Sequence, residues 1–179
     1  MILPVAVALL VGAAGAARAD GDADGDGDGD GDGDGAGEVC AGAEARIVVD
    51  SVARTLTLCE RGAAVARHAV ALGRGGVGKT REGDGKTPLG TYPLGAPRAS
   101  RAYDTFIPVG YPTAAERARG LTGSAIGVHG PDRRLRALGR LATAVGWTRG
   151  CIAVGSDAEI RAVAAWVRRQ RGALSIEIR

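Results

Sequence analysis

Alternating apolar and polar positions predict that the folded part of the chain opens with β-strands. Segments 46–50 and 55–59 flank a short polar link, and segment 64–72 follows after Arg61-Gly62. Closely spaced strands of this kind are typical of an antiparallel β-meander. Glycine is frequent over 73–90, which predicts a loop, and another strand is expected to start at Gly90.

Helical spacing is clearest near the C-terminal end. Ser156 and Glu159 form the sequence of a capping box, and the apolar residues that follow recur at i, i+3, i+4 and i+7. This pattern predicts a helix over 157–171, after which 174–178 alternates as a terminal strand. We therefore expect a mostly β domain with one or two helices. Strict strand–helix alternation, the sign of a doubly wound sheet, is not present.

The segment between these elements combines arginines with regularly spaced leucines. Leu135, Leu138 and Leu141 recur at three-residue steps and are expected to cover the core. The arginines are expected to form a solvated basic face rather than a specific anion site; they are Arg133, Arg134, Arg136 and Arg140.

The N-terminal residues have the pattern of an export signal. An apolar run over 2–17 is followed by Ala17-Arg18-Ala19, which fits a signal-peptidase site. The run is shorter than a membrane span. We expect a signal peptide over 1–19 and a protein exported to the periplasm or cell wall, with no stable membrane span after cleavage. An uncleaved N-terminal anchor is the alternative.

An Asp-Gly repeat separates this signal from the rest of the chain. Residues 20–35 hold eight aspartates and no basic residue, so we expect an acidic linker over 20–37 that buries no apolar surface. The spacing also matches the first half of an EF-hand loop, which leaves calcium binding as an alternative.

The rest of the chain has the opposite charge. Residues 36–179 carry 22 Lys or Arg against 12 Asp or Glu, a difference of +10. A basic domain of an exported protein meets anionic envelope polymers rather than nucleic acid.

One cysteine and one histidine stand beside glycines in the C-terminal third. His129 ends a predicted strand over 125–129 and precedes Gly130, while Cys151 follows Gly150. A thiol with an imidazole partner is the pair of side chains that enzymes with a cysteine nucleophile use. His68, the other histidine, lies in an alternating strand and is expected to face solvent.

Several segments in a fixed order together resemble the L,D-transpeptidase catalytic domain, also called the YkuD-type domain. They are Gly73, 81–92, Gly110-Tyr111-Pro112, 126–130 and 147–154, and the resemblance spans about residues 45–179. It implies a β-rich sandwich or barrel over a catalytic domain at 38–179. It also implies action on peptidoglycan stem peptides, through Cys and His, without a metal or organic cofactor.

The resemblance also assigns roles to individual residues. Cys151 matches the nucleophile and His129 the general base, and the surrounding motif is expected to form the oxyanion and substrate site with Arg149, Gly150, Thr148, Gly130 and Tyr111. Ala153 departs from the commoner motif, which has Arg or Asn there. The match is closer to a branch that includes hydrolases releasing wall-attached lipoprotein. An L,D-carboxypeptidase or amidase, or a degenerate wall-binding module, therefore remains an alternative to a transpeptidase.

The chemistry of the thiol suggests how the site would work. A free thiol is mostly protonated at neutral pH, so His129 and the adjacent cation of Arg149 are expected to favour the thiolate. Backbone N–H groups over 149–151 are expected to receive the oxyanion.

The cysteine count predicts a disulfide. In an oxidising compartment, three cysteines leave one unpaired. If Cys151 stays free for catalysis, Cys40 and Cys59 form a disulfide, with two unpaired thiols as the alternative.

Overall fold

A computed structural model describes residues 39–42 and 44–179 of the chain. The predicted signal peptide over 1–19 and the predicted linker over 20–37 lie outside the described residues. Within the described residues, no helix is both long and apolar enough to cross a membrane.

Nine strands form one curled sheet, which confirms the predicted mostly β fold. Their order across the sheet is β4-β9-β1-β2-β3-β8-β7-β6-β5. The bounds are β1 Ala45–Asp50, β2 Thr55–Glu60, β3 Ala63–Ala71, β4 Gly90–Pro93, β5 Arg98–Ser100, β6 Asp104–Pro108, β7 Gly127–His129, β8 Ile152–Val154 and β9 Ser175–Ile178.

The first three strands form the antiparallel meander that the alternating pattern predicts. β1 pairs with β2 and β2 with β3, each antiparallel. Two other neighbours are parallel, β9 beside β1 and β8 beside β7. The sheet is therefore mixed. His129 ends β7 of the parallel β7–β8 pair, and Cys151 directly precedes β8.

The helical segments that follow β1 in the chain are α1 Ala114–Ala118, a 3₁₀ segment Arg136–Thr143, and α2 Asp157–Arg169. Thr113 and Glu116 cap α1 with a full capping box. α2 begins where predicted, with the Ser156 hydroxyl accepting from the Glu159 N–H, and ends at Arg169, two residues before the predicted 171. Its buried face packs into the main core through Ile160, Val163, Ala164, Trp166 and Val167.

Two sequence predictions about exposure are wrong. Leu138 and Leu141 are exposed by 48% and 72% instead of covering the core. The three-residue spacing fails because Gly139 adopts φ 51° and ψ −129°, which interrupts the 3₁₀ segment, so that Ala142 and Thr143 are buried in their place. His68 does not face solvent either, since its side chain is only 13% exposed with Nδ1 3.6 Å from Glu159 Oε1 of α2.

A disulfide ties the segment ahead of β1 to β2. Cys40 and Cys59 are joined with a Cα–Cα distance of 5.3 Å, and both are fully buried with Val48 in a small second core. Cys151 is the free cysteine among the described residues. The bridge therefore lies apart from the strands that carry Cys151 and His129.

Candidate active site

The parallel pairing of β7 and β8 brings Cys151 and His129 to one face of the sheet. Val128 pairs with Ile152, and His129 pairs with Ala153. Side chains two residues apart in a strand point to the same face, so Cys151, immediately before β8, shares the face of Ala153 and His129. Both side chains line one open cavity of about 1120 Å³.

Two glycines allow this close approach of strands and loops. A Cβ at Gly127 would lie 2.4 Å from the Phe106 ring, and a Cβ at Gly150 would lie 2.5 Å from the Lys86 carbonyl oxygen. Gly150 also has φ +123°, a conformation that L side chains rarely adopt. The glycine before the cysteine is therefore needed for both its backbone angles and its packing.

His129 is held as a neutral imidazole. Its side chain is buried, and its Nδ1 lies 2.6 Å from the Gly130 carbonyl oxygen. Because a carbonyl can only accept, Nδ1 carries the hydrogen and Nε2 keeps its lone pair. Burial lowers the pKa of His129 to about 4, and the hydrogen bond to Gly130 and the charge of Asp132 offset this only in part.

Aromatic rings account for much of that burial. The Tyr103 ring stacks on the imidazole with centroids 3.9 Å apart, and the Phe106 ring lies 6.2 Å away in a nearly parallel plane. Trp147 approaches at a tilted angle with a centroid distance of 5.8 Å. The imidazole is thus enclosed by apolar surface that disfavours its charged form.

The thiol of Cys151 is also protonated in the resting site. Its Sγ donates to the Ala125 carbonyl oxygen at 3.4 Å. Burial raises the pKa of Cys151, while the Gly127 N–H and the Lys79 ammonium lower it by less. Lys79 is a cation that lowers the pKa of the Cys151 thiol, while the effect of Arg149 on the thiol stays a prediction. The cavity is therefore lined by a neutral thiol and a neutral imidazole.

Lys79 belongs to a buried ion pair in the glycine-rich loop. Its Nζ donates to Asp84 Oδ1 at 2.8 Å and to the Arg81 carbonyl at 3.1 Å. Burial alone would raise the pKa of Asp84, but hydrogen bonds from Lys79 and from three backbone N–H groups outweigh it and hold the pKa well below its usual range. The pair fixes the loop that forms one wall of the cavity.

The motif around the cysteine forms its own hydrogen-bonded turn. Thr148 Oγ1 donates to the Cys151 carbonyl at 2.7 Å and accepts from the Gly150 N–H at 3.1 Å. The Gly150 N–H is therefore engaged, which leaves the N–H groups of Arg149 and Cys151 as the oxyanion donors to consider in this turn.

The structure brings together some of the predicted site residues and not others. Cys151, His129, Arg149 and Thr148 line the cavity, whereas Gly130, Gly150 and Tyr111 do not. The Tyr111 side chain is buried in the core, and its hydroxyl donates to the Lys79 carbonyl at 3.2 Å. Tyr111 therefore supports the loop of Lys79 and does not reach the cavity.

Other cavity residues were not expected from the sequence. The main ones are Tyr103, Lys79, Arg74, Arg98 and Arg101. No sequence motif flanks Tyr103, so its place at the site could not be predicted. The glycines around Lys79 could have indicated a loop that approaches the site. The described residues contain no group of three or more His, Cys, Asp or Glu side chains that could hold a metal ion.

Residues 44–176 match the model of the L,D-transpeptidase catalytic domain, YkuD. The chain belongs to this family. The family assignment agrees with the mostly β fold and with the resemblance seen in the sequence. No curated protein sequence matches the chain.

Solved structures share the L,D-transpeptidase fold at low sequence identity. The helical cell shape determining protein Pgp2 from Campylobacter jejuni is 22% identical with a TM-score of 0.61, over 75% of this chain and 46% of that chain. Bd1075 from Bdellovibrio bacteriovorus is 22% identical with a TM-score of 0.56, over 76% and 48%. An L,D-transpeptidase from Mycobacterium smegmatis is 17% identical with a TM-score of 0.50, over 77% and 59%. The chain thus spans less than two thirds of these proteins.

Proposed function

We propose that this protein is an exported L,D-transpeptidase that acts on peptidoglycan stem peptides through a thioester on Cys151. One observation carries the proposal: the Cys151 thiol and the His129 imidazole share one face of adjacent parallel strands and open into the same cavity. The proposed catalytic domain is 38–179, preceded by a signal peptide and an acidic linker. The peptide donor and amine acceptor are the partners, with wall-attached lipoprotein as a further candidate.

The neutral state of both groups defines the first step. As Sγ of Cys151 attacks the carbonyl carbon, its proton passes to Nε2 of His129, so a charged imidazole forms only during the attack. The S–C bond forms and the carbonyl oxygen becomes an oxyanion, which the N–H groups of Arg149 and Cys151 stabilise. The Gly130 carbonyl keeps the ring oriented by accepting from Nδ1.

The second half of the reaction regenerates the thiol. The C–N bond of the tetrahedral intermediate breaks, and the leaving amine takes the proton from His129 Nε2. An incoming amine then gives a proton to Nε2 and attacks the thioester carbon, and Cys151 leaves and recovers that proton. Water in place of the amine gives hydrolysis by the same steps. The identity of the acceptor thus separates a transpeptidase from an L,D-carboxypeptidase or amidase.

Mass spectrometry of muropeptides tests the proposal directly. Purified protein is incubated with disaccharide tetrapeptide, and we expect a cross-linked dimer with loss of the terminal residue, absent in Cys151→Ala. A shortened monomer without dimer would assign the hydrolase. Unchanged substrate, together with no adduct of a carbapenem on Cys151, would favour a wall-binding module and refute the enzyme.

A further inference from the structure

Four arginine side chains line the cavity without a partner of opposite charge. Arg74, Arg98, Arg101 and Arg149 are all exposed and all border the cavity. Across residues 39–42 and 44–179, none of the four forms an ion pair with a carboxylate. The fifth cation of the wall, Lys79, is already neutralised by Asp84. Glu82 and Asp132 also line the cavity, but neither forms an ion pair with these arginines. The four guanidinium groups are therefore unpaired and able to bind a carboxylate of a ligand.

The strand order places these arginines on two sides of the reactive pair. β3, β8, β7, β6 and β5 are successive neighbours, with Cys151 just before β8 and His129 at the end of β7. Arg98 begins β5 and Arg101 follows it, on the β6 side of the pair.

The other two arginines approach from the β3 side. The chain leaves β3 into the loop of Arg74, whose N–H donates to the Thr148 carbonyl at 2.9 Å. That bond fixes the backbone of Arg74 beside the turn that carries Arg149. The thiol therefore lies between one pair of arginines, 98 and 101, and a second pair, 74 and 149.

One of the four guanidinium groups is visibly held in place. The Arg98 guanidinium lies over the Phe106 ring, 5.0 Å from its centroid. A stacked guanidinium loses little further freedom when it binds. Its planar donors match a carboxylate, which accepts two parallel hydrogen bonds, whereas a carboxamide offers one acceptor and no charge.

We infer, on the basis of the proposed function, that the cavity recognises its peptide substrates by free carboxylates on both sides of Cys151. Arg98 and Arg101 bind a carboxylate of one peptide, and Arg74 and Arg149 bind a carboxylate of the other. One pair serves the acyl donor and the other serves the amine acceptor. Peptides whose carboxylate is converted to a carboxamide are then poor substrates.

Matched peptides test this recognition. Two stem tetrapeptide donors differ only in a carboxylate or a carboxamide on the side chain of the third residue, and two acceptors differ in the same group beside their amine. We expect wild-type protein to use each carboxylate form about tenfold better in kcat/KM, as expected for charge-assisted hydrogen bonds. Equal use of the two forms would overturn the inference.

Paired variants locate the two subsites. Arg98→Gln with Arg101→Gln should abolish the carboxylate preference for one substrate, and Arg74→Gln with Arg149→Gln should abolish it for the other. Arg171→Gln, exposed and outside the cavity, should leave both preferences intact. A purely structural effect would lower the rates of carboxylate and carboxamide forms equally. Loss of preference for the same substrate in both double variants would refute two subsites.

A binding measurement separates this inference from the proposed reaction. Cys151→Ala protein is titrated with each donor by calorimetry, where we expect about tenfold tighter binding of the carboxylate form. If that preference is present while wild-type protein turns over neither donor, the proposed function fails and the recognition stands. If turnover proceeds without any carboxylate preference in rate or binding, the recognition fails and the function stands.

Discussion

The Tyr103 ring covers the His129 imidazole, with the two planes inclined by only 22°. This contact removes water from one face of a group that would otherwise gain a proton near its ordinary pKa of about 6.5. The pKa of His129 is therefore about 4, so the ring is neutral and able to accept a proton over the whole range above that value. The stacked tyrosine thus keeps His129, the proposed base, unprotonated in mildly acidic surroundings.

Replacing Tyr103 should shift the acid limb of the pH–rate profile. Tyr103→Ala exposes the imidazole, so its pKa rises from about 4 towards the ordinary value and the base becomes protonated at higher pH. We expect kcat/KM to fall at pH 5–6 and to be largely retained at pH 8. Tyr103→Phe keeps the stacked ring and should keep the wild-type acid limb. An unmoved acid limb in Tyr103→Ala would contradict the role of the ring.

Alanine substitutions should show which of the two histidines acts as the general base. Cys151→Ala should abolish turnover, and His129→Ala should lower kcat by about 10²–10⁴-fold, the usual contribution of a general base. His68→Ala is the matched control, because His68 contacts Glu159 on α2 and does not line the cavity. Steady-state kinetics on soluble muropeptides make the comparison, and an inactive His68→Ala with an active His129→Ala would show that the base is misassigned.

Substitutions of Lys79 and of Asp84 should shift the pKa of the Cys151 thiol in opposite directions. Lys79→Met removes the cation that lowers the pKa of Cys151, so the pKa should rise. Asp84→Asn keeps the cation and removes its counter-charge, so the pKa should fall. The measurement is the rate of alkylation of Cys151 by iodoacetamide as a function of pH. A shift in the same direction for both variants would indicate a general disturbance of the loop instead of an electrostatic effect.

The disulfide should contribute stability and leave catalysis unchanged. Replacing Cys40 and Cys59 by alanine should lower the free energy of unfolding by about 2–4 kcal/mol, because the bridge restricts the unfolded chain. Denaturant titration measures this loss, and kcat/KM should stay within about twofold because neither cysteine lines the cavity. Non-reducing peptide mapping of active protein should find Cys40 joined to Cys59. Finding Cys151 in a disulfide there would contradict both the pairing and the mechanism.

Local patterns predicted most of the regular elements, and the assignment of Cys151 and His129 as the reactive residues stays a prediction. The spacing of apolar residues in α2 reports one buried face, so its period predicted it. Strands β1 and β2 bury consecutive residues, and therefore both faces, so their apolar content between polar links was the signal that predicted them. Helix α1 was missed although Thr113 and Glu116 form a capping box, because only five residues follow. The strands β5 and β6 were missed because they are short and lack clear alternation.

The surroundings of the reactive pair could not be predicted in the same way. The contact of Tyr103 with His129 joins residues on separate segments, and no periodicity encodes it. The same holds for Lys79, whose effect on the thiol depends on how the glycine-rich loop folds over the sheet. The leucine spacing failed at Gly139, where a single backbone conformation changed which side chains face inward.

The position of β9 within the sheet affects how the domain folds. β9 lies between β4 and β1, and its partner in β1 is almost the whole length of the described domain away in sequence. Such non-local pairing raises the contact order and slows folding, since a long loop must close before the contacts form. Until β9 inserts, β1 and β4 both present unpaired edges, which are the usual sites of aggregation. Refolding yield should therefore depend on protein concentration at the step in which these last strand pairs close.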